Sequence, residues 1–198
     1  MTLRKRFAAA VLAAIMTLSL STGALAAGKS TFRDVPASHW ANSYVEELAS
    51  KELVEGVGED KFAPEASLTN ASFVVMVLRV FSAVLELDPQ ELETQSSWYQ
   101  GYLDSARSLG LLSGCSFTDA QAGSPMTRYD MASFLSALGN RLGLRADGAG
   151  AAGLSDYAAM PADRRQAVDY ACALGVLTGY SDGAFHGSDH LTRAQAAA

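Results

Sequence analysis

The chain has 198 residues and a formal net charge of −6, with 21 acidic side chains against 15 basic ones. Because an acidic protein repels polyanions, this balance argues against nucleic acid as a partner, and an acidic polymer could be held only by a few local cations in a groove. The two cysteines, Cys115 and Cys172, are too few for a disulfide framework and lack metal-ligand spacing, so we interpret them as buried small residues and leave one disulfide between them open.

Residues 1–26 predict a signal peptide. "MTLRKRF" is a basic start, an apolar run extends from Phe7 to Leu20, and "ALA" followed by Ala27 supplies the small residues of a cleavage site. The apolar run is shorter than the roughly 20 residues of a spanning helix. We therefore expect an exported chain whose leader is removed and which has no transmembrane segment after cleavage.

The remainder is written as three copies of one unit, at residues 30–86, 96–143 and 154–198. Each copy has a threonine that stands thirteen residues after a glycine. The segments that end at these glycines, "YVEELASKELVEG", "YLDSARSLGLLSG" and "AVDYACALGVLTG", place apolar residues three and four apart, which predicts a helix. The glycines are Gly56, Gly114 and Gly179, and the threonines are Thr69, Thr127 and Thr192.

The ends of this first helix are marked by residues that favour a left-handed backbone. Gly110 and Gly175 stand at the position of a left-handed C-cap, and Glu52 replaces them in the first copy. A turn-like loop follows and leads to the threonine.

A second helix is predicted to begin at each threonine, which is a good N-cap. Asp130 and Gln195 stand three residues later and complete capping-box patterns, whereas Ser72 does so poorly. The following stretches, "FVVMVLRVFSAVL" and "MASFLSALGNRL", are apolar around much of the helix, which is typical of burial among other helices. Each copy is therefore predicted to be helix, loop, helix, and the fold class to be all-α.

Arginine follows the threonine in the second and third copies, as Arg128 and Arg193. At the start of a helix the macrodipole disfavours a cation by about 0.3–1 kcal/mol. Beside the free N–H groups of the first turn, however, the guanidinium would form a compact site for a carboxylate or phosphate. The alternative, which the sequence leaves open, is an ion pair with a loop carboxylate such as Asp119 or Asp189.

Trp40 and Trp98 each stand sixteen residues before their glycine, and Asp163 takes this place in the third copy. We favour an apolar anchor at the start of the helix over a sugar-stacking platform, although a half-exposed ring can do both.

Catalytic and metal-binding patterns are absent from the sequence. There is no nucleophile elbow, phosphate-binding glycine loop or zinc signature. His39, His186 and His190 are interpreted as loop residues rather than metal ligands. We expect no enzyme activity and no cofactor.

Residues 32–81 resemble an S-layer homology domain. The resemblance rests on the Phe-x-Asp-Val opening, His-Trp-Ala at the first helix, the Gly and Phe-x-Pro loop, and the cap motif, which is "MTRYD" and "LTRAQ" in the later copies. It implies three domains around a central helix bundle with pseudo-threefold symmetry. Grooves between the lobes would hold the secondary cell wall polysaccharide attached to peptidoglycan, often with a pyruvylated sugar.

The resemblance also implies a set of ligand-binding residues. The cap-motif arginine meets the acidic sugar, helped by the first-helix tryptophan and by backbone near the loop glycine. Asn70 stands where the first arginine would be, so its groove is expected to bind weakly or not at all, and Asn70→Arg to strengthen it. The set comprises Arg128, Arg193, Trp40, Trp98, Gly56, Gly114, Gly179 and Asn70.

The function implied is a non-catalytic module of the cell surface that anchors the chain to the wall, with self-association in a surface layer as a second partnership to test. Two alternatives stay open. One is an exported helical-repeat module that docks onto protein, and the other is the anchor of an envelope enzyme whose catalytic domain lies beyond residue 198.

The third copy also departs from the pattern. It opens with "LSDY" at 154–157, has Asp163 at the tryptophan place, and continues only from Ala194 to Ala198 after its arginine. We take the sequence to be a fragment or a truncated product, and expect the third lobe to be the least stable.

Overall fold

The computed structural model describes residues 30–94, 97–146 and 150–198, so the predicted leader lies outside the described residues. Within these ranges the chain forms helices and isolated β-bridges but no strand, which confirms the all-α prediction. Two 3-10 turns, Asp119–Gln121 and Tyr157–Ala159, lie in the connections. The α-helices are α1 Asn42–Ser50, α2 Asn70–Leu85, α3 Pro89–Glu93, α4 Gln100–Ser108, α5 Arg128–Arg141, α6 Ala162–Ala173 and α7 Arg193–Ala197.

The predicted helix starts are confirmed at all three threonines. The Oγ1 atoms of Thr69, Thr127 and Thr192 accept hydrogen bonds from the N–H three residues later, at the starts of α2, α5 and α7. Of these three caps, that of Thr192 with Gln195 forms a complete capping box. Asp130 instead directs its carboxylate to Ser116, whose N–H donates to Oδ1 at 2.7 Å, so the box predicted there does not form.

The predicted helix ends are also confirmed. Gly110 and Gly175 have φ of +74° and +71°, and Glu52 has φ of +58°. A left-handed backbone is readily adopted by glycine and disfavoured for other residues, which explains why two of the three copies use glycine here.

Each first helix packs against the second helix of another copy: copy 2 on copy 1, copy 3 on copy 2, and copy 1 on copy 3. In the described residues α4 lies on α2, α6 on α5, and α1 on α7. A central apolar cluster joins the second helices of copies 1 and 2 to Leu191 of copy 3. Two smaller clusters lie under α1 with α7 and under α6 with α5. No copy therefore buries its apolar surface by itself.

The three segments that precede the capping threonines exchange backbone hydrogen bonds in a closed cycle. The N–H of Leu68 donates to the carbonyl of Leu191 at 2.8 Å, that of Met126 to Leu68 at 2.8 Å, and that of Leu191 to Met126 at 3.0 Å. All three side chains are at most 3% exposed. The start of each second helix is thus fixed relative to the other two.

Candidate ligand-binding site

The loops between the two helices of each copy contain the predicted site glycines and are contacted by Arg128, Arg193 and Asn70. We call residues 51–69 loop 1, residues 109–127 loop 2 and residues 174–192 loop 3. Each loop receives a side chain from another copy.

Arg128 extends from the first position of α5 into loop 3. Its Nε donates to the carbonyl of Phe185 and its Nη2 to that of Thr178, both at 2.7 Å. The guanidinium carbon lies 4.5 Å from the ring centroid of Tyr180 and 4.4 Å from that of Phe185. Two carbonyls and two rings therefore hold this cation, of which only 6% is exposed.

Arg193 makes the equivalent contacts with loop 1. Its Nε donates to the carbonyl of Phe62 and its Nη2 to that of Glu55, both at 2.7 Å, and its guanidinium carbon lies 4.5 Å from the ring centroid of Phe62. Burial lowers the pKa of Arg193, and the nearby Asp34 carboxylate opposes this shift. The repeated geometry shows that the cap-motif position sets the direction of the side chain.

Ion pairing with a loop carboxylate, the alternative role left open for these arginines, is not what the structure shows. Among the described residues no acidic oxygen lies within 4.0 Å of either guanidinium. Asp119 pairs with Arg107, and Asp189 offers Arg128 only its backbone carbonyl, to the Arg128 N–H at 3.0 Å. Within the described ranges, both cations thus keep a charge that no contacting carboxylate neutralises.

The loops that receive these arginines are held by two aspartates that the sequence analysis did not single out. The carboxylate of Asp34 accepts the N–H groups of Phe62 and Ala63 at 2.8 Å each. Asp156 accepts those of Phe185 and His186 at 2.9 Å each. The signal was available, because Asp34 belongs to the Phe-x-Asp-Val opening and "LSDY" keeps an aspartate at the same place.

The hydrogen bonds also change the acidity of Asp34. Partial burial acts to raise its pKa, but the N–H donors of Phe62 and Ala63 outweigh burial, so the pKa lies below its ordinary value. The ionised carboxylate therefore stabilises loop 1, including the Phe62 carbonyl that binds Arg193.

Trp40 and Trp98 lie at the surface, with 55% and 53% of each residue exposed. The ring of Trp40 stacks on His39, with centroids 5.9 Å apart, and Trp98 meets Tyr99 edge to face. This exposure differs from the apolar anchor that the sequence favours, because Val35 and Ala41 fill the core at the start of α1. The two indoles remain accessible to a ligand.

The loop glycines are required by close packing. A Cβ on Gly56 would lie 2.6 Å from the carbonyl oxygen of Lys61, and one on Gly179 would meet the side chain of Leu154 and lie 3.1 Å from the carbonyl oxygen of Ala184. A Cβ on Gly114 would lie 3.1 Å from that of Ser133. The glycines therefore shape the loops that bind the arginines.

Asn70 is 2% exposed and reaches loop 2, where its Nδ2 donates to the carbonyl of Gln121 at 2.9 Å. Its Oδ1 is buried and has no hydrogen-bond partner among the described residues. The shorter side chain thus makes one inter-copy hydrogen bond where each arginine makes two.

Loop 2 is bound instead by Arg164, which the sequence analysis missed. This residue lies in the first turn of α6, and its Nη1 donates to the carbonyl of Gly114 at 2.5 Å and to Ser133 Oγ at 3.2 Å. The same Nη1 lies 3.2 Å from Asp130 Oδ1, and Nε lies 3.4 Å from Asp163 Oδ2. Unlike the two cap-motif arginines, Arg164 is paired with carboxylates.

The described residues contain no cluster of three or more histidine, cysteine or acidic side chains that could hold a metal ion. Cys115 and Cys172 are free. Burial raises the pKa of Cys115 to about 12 and also raises that of Cys172, so neither thiol is activated as a nucleophile at neutral pH. None of the helices in the described ranges has the length and hydropathy needed to cross a membrane.

The family model and the relatives found by comparison with known proteins agree with one another. Residues 31–73 and 154–197 match the family model of the S-layer homology domain. Over 171 residues, or 85% of this chain, it is 29% identical to an amylopullulanase of Thermoanaerobacterium thermosulfurigenes. Over 133 residues it is 29% identical to the S-layer protein sap of Bacillus anthracis, and over 86 residues 37% identical to a cell surface protein of Thermoanaerobacter kivui.

These alignments cover 66% and 43% of this chain for the sap and Thermoanaerobacter kivui proteins. They cover only 9%, 16% and 10% of the three relatives, respectively. The family and the S-layer relatives point to an exported protein of the cell surface, in agreement with the prediction from the leader.

Proposed function

This chain contains S-layer homology domains, and from that premise we propose that it is a non-catalytic module that anchors a protein to the cell wall. Its ligand is an acidic, pyruvylated secondary cell wall polysaccharide, and its three copies form one pseudo-threefold bundle. The closed cycle of backbone hydrogen bonds through Leu68, Met126 and Leu191 supports the bundle.

The observation that carries the proposal is the state of Arg128 and Arg193. Each guanidinium has Nε and Nη2 hydrogen-bonded to carbonyls of a neighbouring loop, yet neither contacts a carboxylate in the described part of the chain. A cation in a poorly hydrated site without an acidic partner favours an anion that can approach it. This local attraction counteracts the repulsion of an acidic ligand by the net negative charge of the chain.

The exposed indoles of Trp40 and Trp98 supply the second element of sugar binding. An indole presents a large apolar face on which the C–H groups of a sugar ring can stack, and its N–H remains free to hydrogen-bond. Each indole lies at the start of a first helix, and that helix packs on the second helix of the neighbouring copy. A groove between copies would thus combine a cation, an aromatic face and backbone groups of a glycine-shaped loop.

A whole anchored protein would carry its activity in another part of the chain. One of the relatives named above is an amylopullulanase, of which this chain covers 9%. We propose that the segment corresponds to the wall-binding portion of such a protein, whether it serves a surface layer or an enzyme.

The experiment is co-sedimentation of the chain with purified Gram-positive wall material, with and without removal of pyruvyl groups. We expect the chain to sediment with untreated walls and to stay in solution after depyruvylation. A module that docks onto protein would stay in solution with both preparations, and that result would reject the proposal.

Charge reversal of Arg128 tests the cation directly. We expect Arg128→Glu to weaken wall binding by about 2–5 kcal/mol, because it replaces the ligand's counter-charge by a like charge. Arg141→Glu is the matched control, since it reverses an exposed arginine in the last turn of the same helix.

Because Arg128 is buried, Arg128→Gln is measured in parallel and circular dichroism verifies that each variant is folded. Wall affinity unchanged in a folded Arg128→Gln chain would remove this residue from the site.

A further inference from the structure

Each of the three loops receives one guanidinium from another copy, but the donors do not follow one rule. Loop 1 is bound by Arg193 and loop 3 by Arg128, both at cap-motif positions. Loop 2 would receive its arginine from position 70, which is Asn70. Its guanidinium comes instead from Arg164, at the start of a first helix. This side chain donates a hydrogen bond to the carbonyl of Gly114.

Arg164 also donates to a loop carbonyl, that of Gly114, which lies one residue beyond the position bound by Arg128 and Arg193, and unlike theirs its charge is paired. Arg164 lies within 3.2 Å of the buried carboxylate of Asp130 and within 3.4 Å of the exposed carboxylate of Asp163. Arg128 and Arg193 have no such partner within 4.0 Å in the described residues. The guanidinium of Arg164 is thus paired with two carboxylates, whereas in the described residues those of Arg128 and Arg193 contact none.

The other residues of this junction agree with that difference. Asn70 is neutral, and its buried Oδ1 is a hydrogen-bond acceptor without a partner in the described part of the chain, which an ionised acidic group of the ligand could not satisfy. The tryptophan place of the third copy, the copy that supplies Arg164, is taken by Asp163, whose side chain is 75% exposed. Both replacements make the surface beside loop 2 less favourable to an anion and remove the aromatic face.

From these contacts we infer that Arg164 is a positioning residue which holds loop 2 where the cap-motif arginine is missing. Because its charge is already paired with Asp130 and Asp163, it cannot replace that arginine as the counter-charge of the acidic ligand, and this groove does not bind it. The chain then has two acidic-sugar sites rather than three. The inference rests on the proposed function and refines it by assigning which grooves bind. It also explains how copy 2 keeps its loop in place without an arginine at position 70.

The number of sites is the quantity that tests the inference. We would titrate the chain, residues 30–198, with an oligosaccharide that carries a single pyruvyl group, prepared from purified wall polysaccharide, and measure the stoichiometry calorimetrically. We expect two sites in the unmodified chain and one site in Arg128→Gln. Arg164→Gln is expected to keep two sites, with affinity changed less than twofold, while its melting temperature falls because loop 2 loses its guanidinium.

A gain of function gives the matched test. In Asn70→Arg a guanidinium is added at loop 2 while Arg164 remains paired with Asp130, so the stoichiometry should rise to three. Asn70→Gln extends the side chain without charge and should stay at two.

The outcomes separate the two proposals. Three sites in the unmodified chain, or the loss of a site in Arg164→Gln, would overturn the inference and leave wall anchoring intact. An Asn70→Arg chain that is folded and still binds two equivalents would overturn it as well, because the lack of an unpaired cation would then not be what prevents binding in this groove. Absence of saturable binding by the unmodified chain would instead reject the anchoring function itself.

Discussion

At the scale of single residues, the ionisation of Asp34 predicts that the stability of loop 1 depends on pH. Its pKa is lowered because the N–H groups of Phe62 and Ala63, which stabilise the carboxylate, outweigh the partial burial that acts to raise it. A carboxyl group whose pKa is lower in the folded state than in the unfolded state adds stability above the unfolded value of about 3.9, and this contribution is lost as pH falls through the folded value. We expect Asp34→Asn to lower the free energy of unfolding at pH 7 by about 1 kcal/mol, the net value of a typical hydrogen bond. Chemical denaturation at pH 7 and at pH 3 measures the effect, which should shrink toward zero in acid.

Glu91→Gln is the control for the same pH range, because Glu91 is an exposed acidic residue in the first turn of α3. A deficit of Asp34→Asn that is as large at pH 3 as at pH 7 would show that the side chain acts through packing and not through its charge.

At the scale of elements, the hydroxyl of Thr127 has two roles at the start of α5: it caps the helix and it binds a buried carboxylate. Thr127 Oγ1 accepts the N–H of Asp130 at 3.1 Å and donates to Asp130 Oδ2 at 2.9 Å. Loss of a threonine N-cap costs about 0.5–2 kcal/mol, and we expect Thr127→Ala to lie near 2 because a buried carboxylate also loses a donor. Thr127→Ser keeps the hydroxyl and should recover most of the loss in urea denaturation. Equal losses in the two variants would mean that the methyl group, rather than the cap, is responsible.

The same element shows which features the sequence can predict. The threonine caps and the left-handed Gly110 and Gly175 depend on neighbours within four residues, so their spacing alone indicates them. The partners of Arg128 lie 50 and 57 residues away, and no local pattern specifies which carbonyls a side chain will meet at that separation. The capping box predicted at Asp130 fails for the same reason, since Ser116, fourteen residues earlier, donates to its carboxylate instead.

The role of Arg164 could not be predicted from the sequence. Its position corresponds to Ala41 in copy 1, so an alignment of the copies contains no arginine there to compare. Its role follows only from the packing of α6 on α5, which brings the start of α6 to Gly114 and Ser133. The repeated residues therefore indicate a candidate site, and Asn70 indicates that one groove differs, whereas the contact of Arg164 with loop 2 could not be predicted.

At the scale of the whole molecule, the backbone cycle through Leu68, Met126 and Leu191 predicts that the three copies unfold together. Leu191 is 1% exposed and packs in the central cluster with helices of copies 1 and 2. Leu191→Ala should cost about 2–5 kcal/mol, as is typical of truncating a buried leucine. Because the backbone of Leu191 is hydrogen-bonded to both other copies, the entire chain should still unfold in a single transition, with a lower free energy of unfolding. Native-state hydrogen exchange measures this directly, since the amides of α2 in copy 1 should lose as much protection as those near the substitution.

Val57→Ala is the matched control, because Val57 is 58% exposed in loop 1 and lies outside the cycle. It should change the unfolding free energy by less than about 0.5 kcal/mol. The same exchange data test the expectation that the third lobe is least stable, since α7 would then open at lower free energy than α2 and α5 in the unmodified chain. If Leu191→Ala accelerated exchange in copy 3 while α2 kept its protection, the copies would be independent units. The grooves between them would then have no fixed geometry with which to hold an acidic sugar.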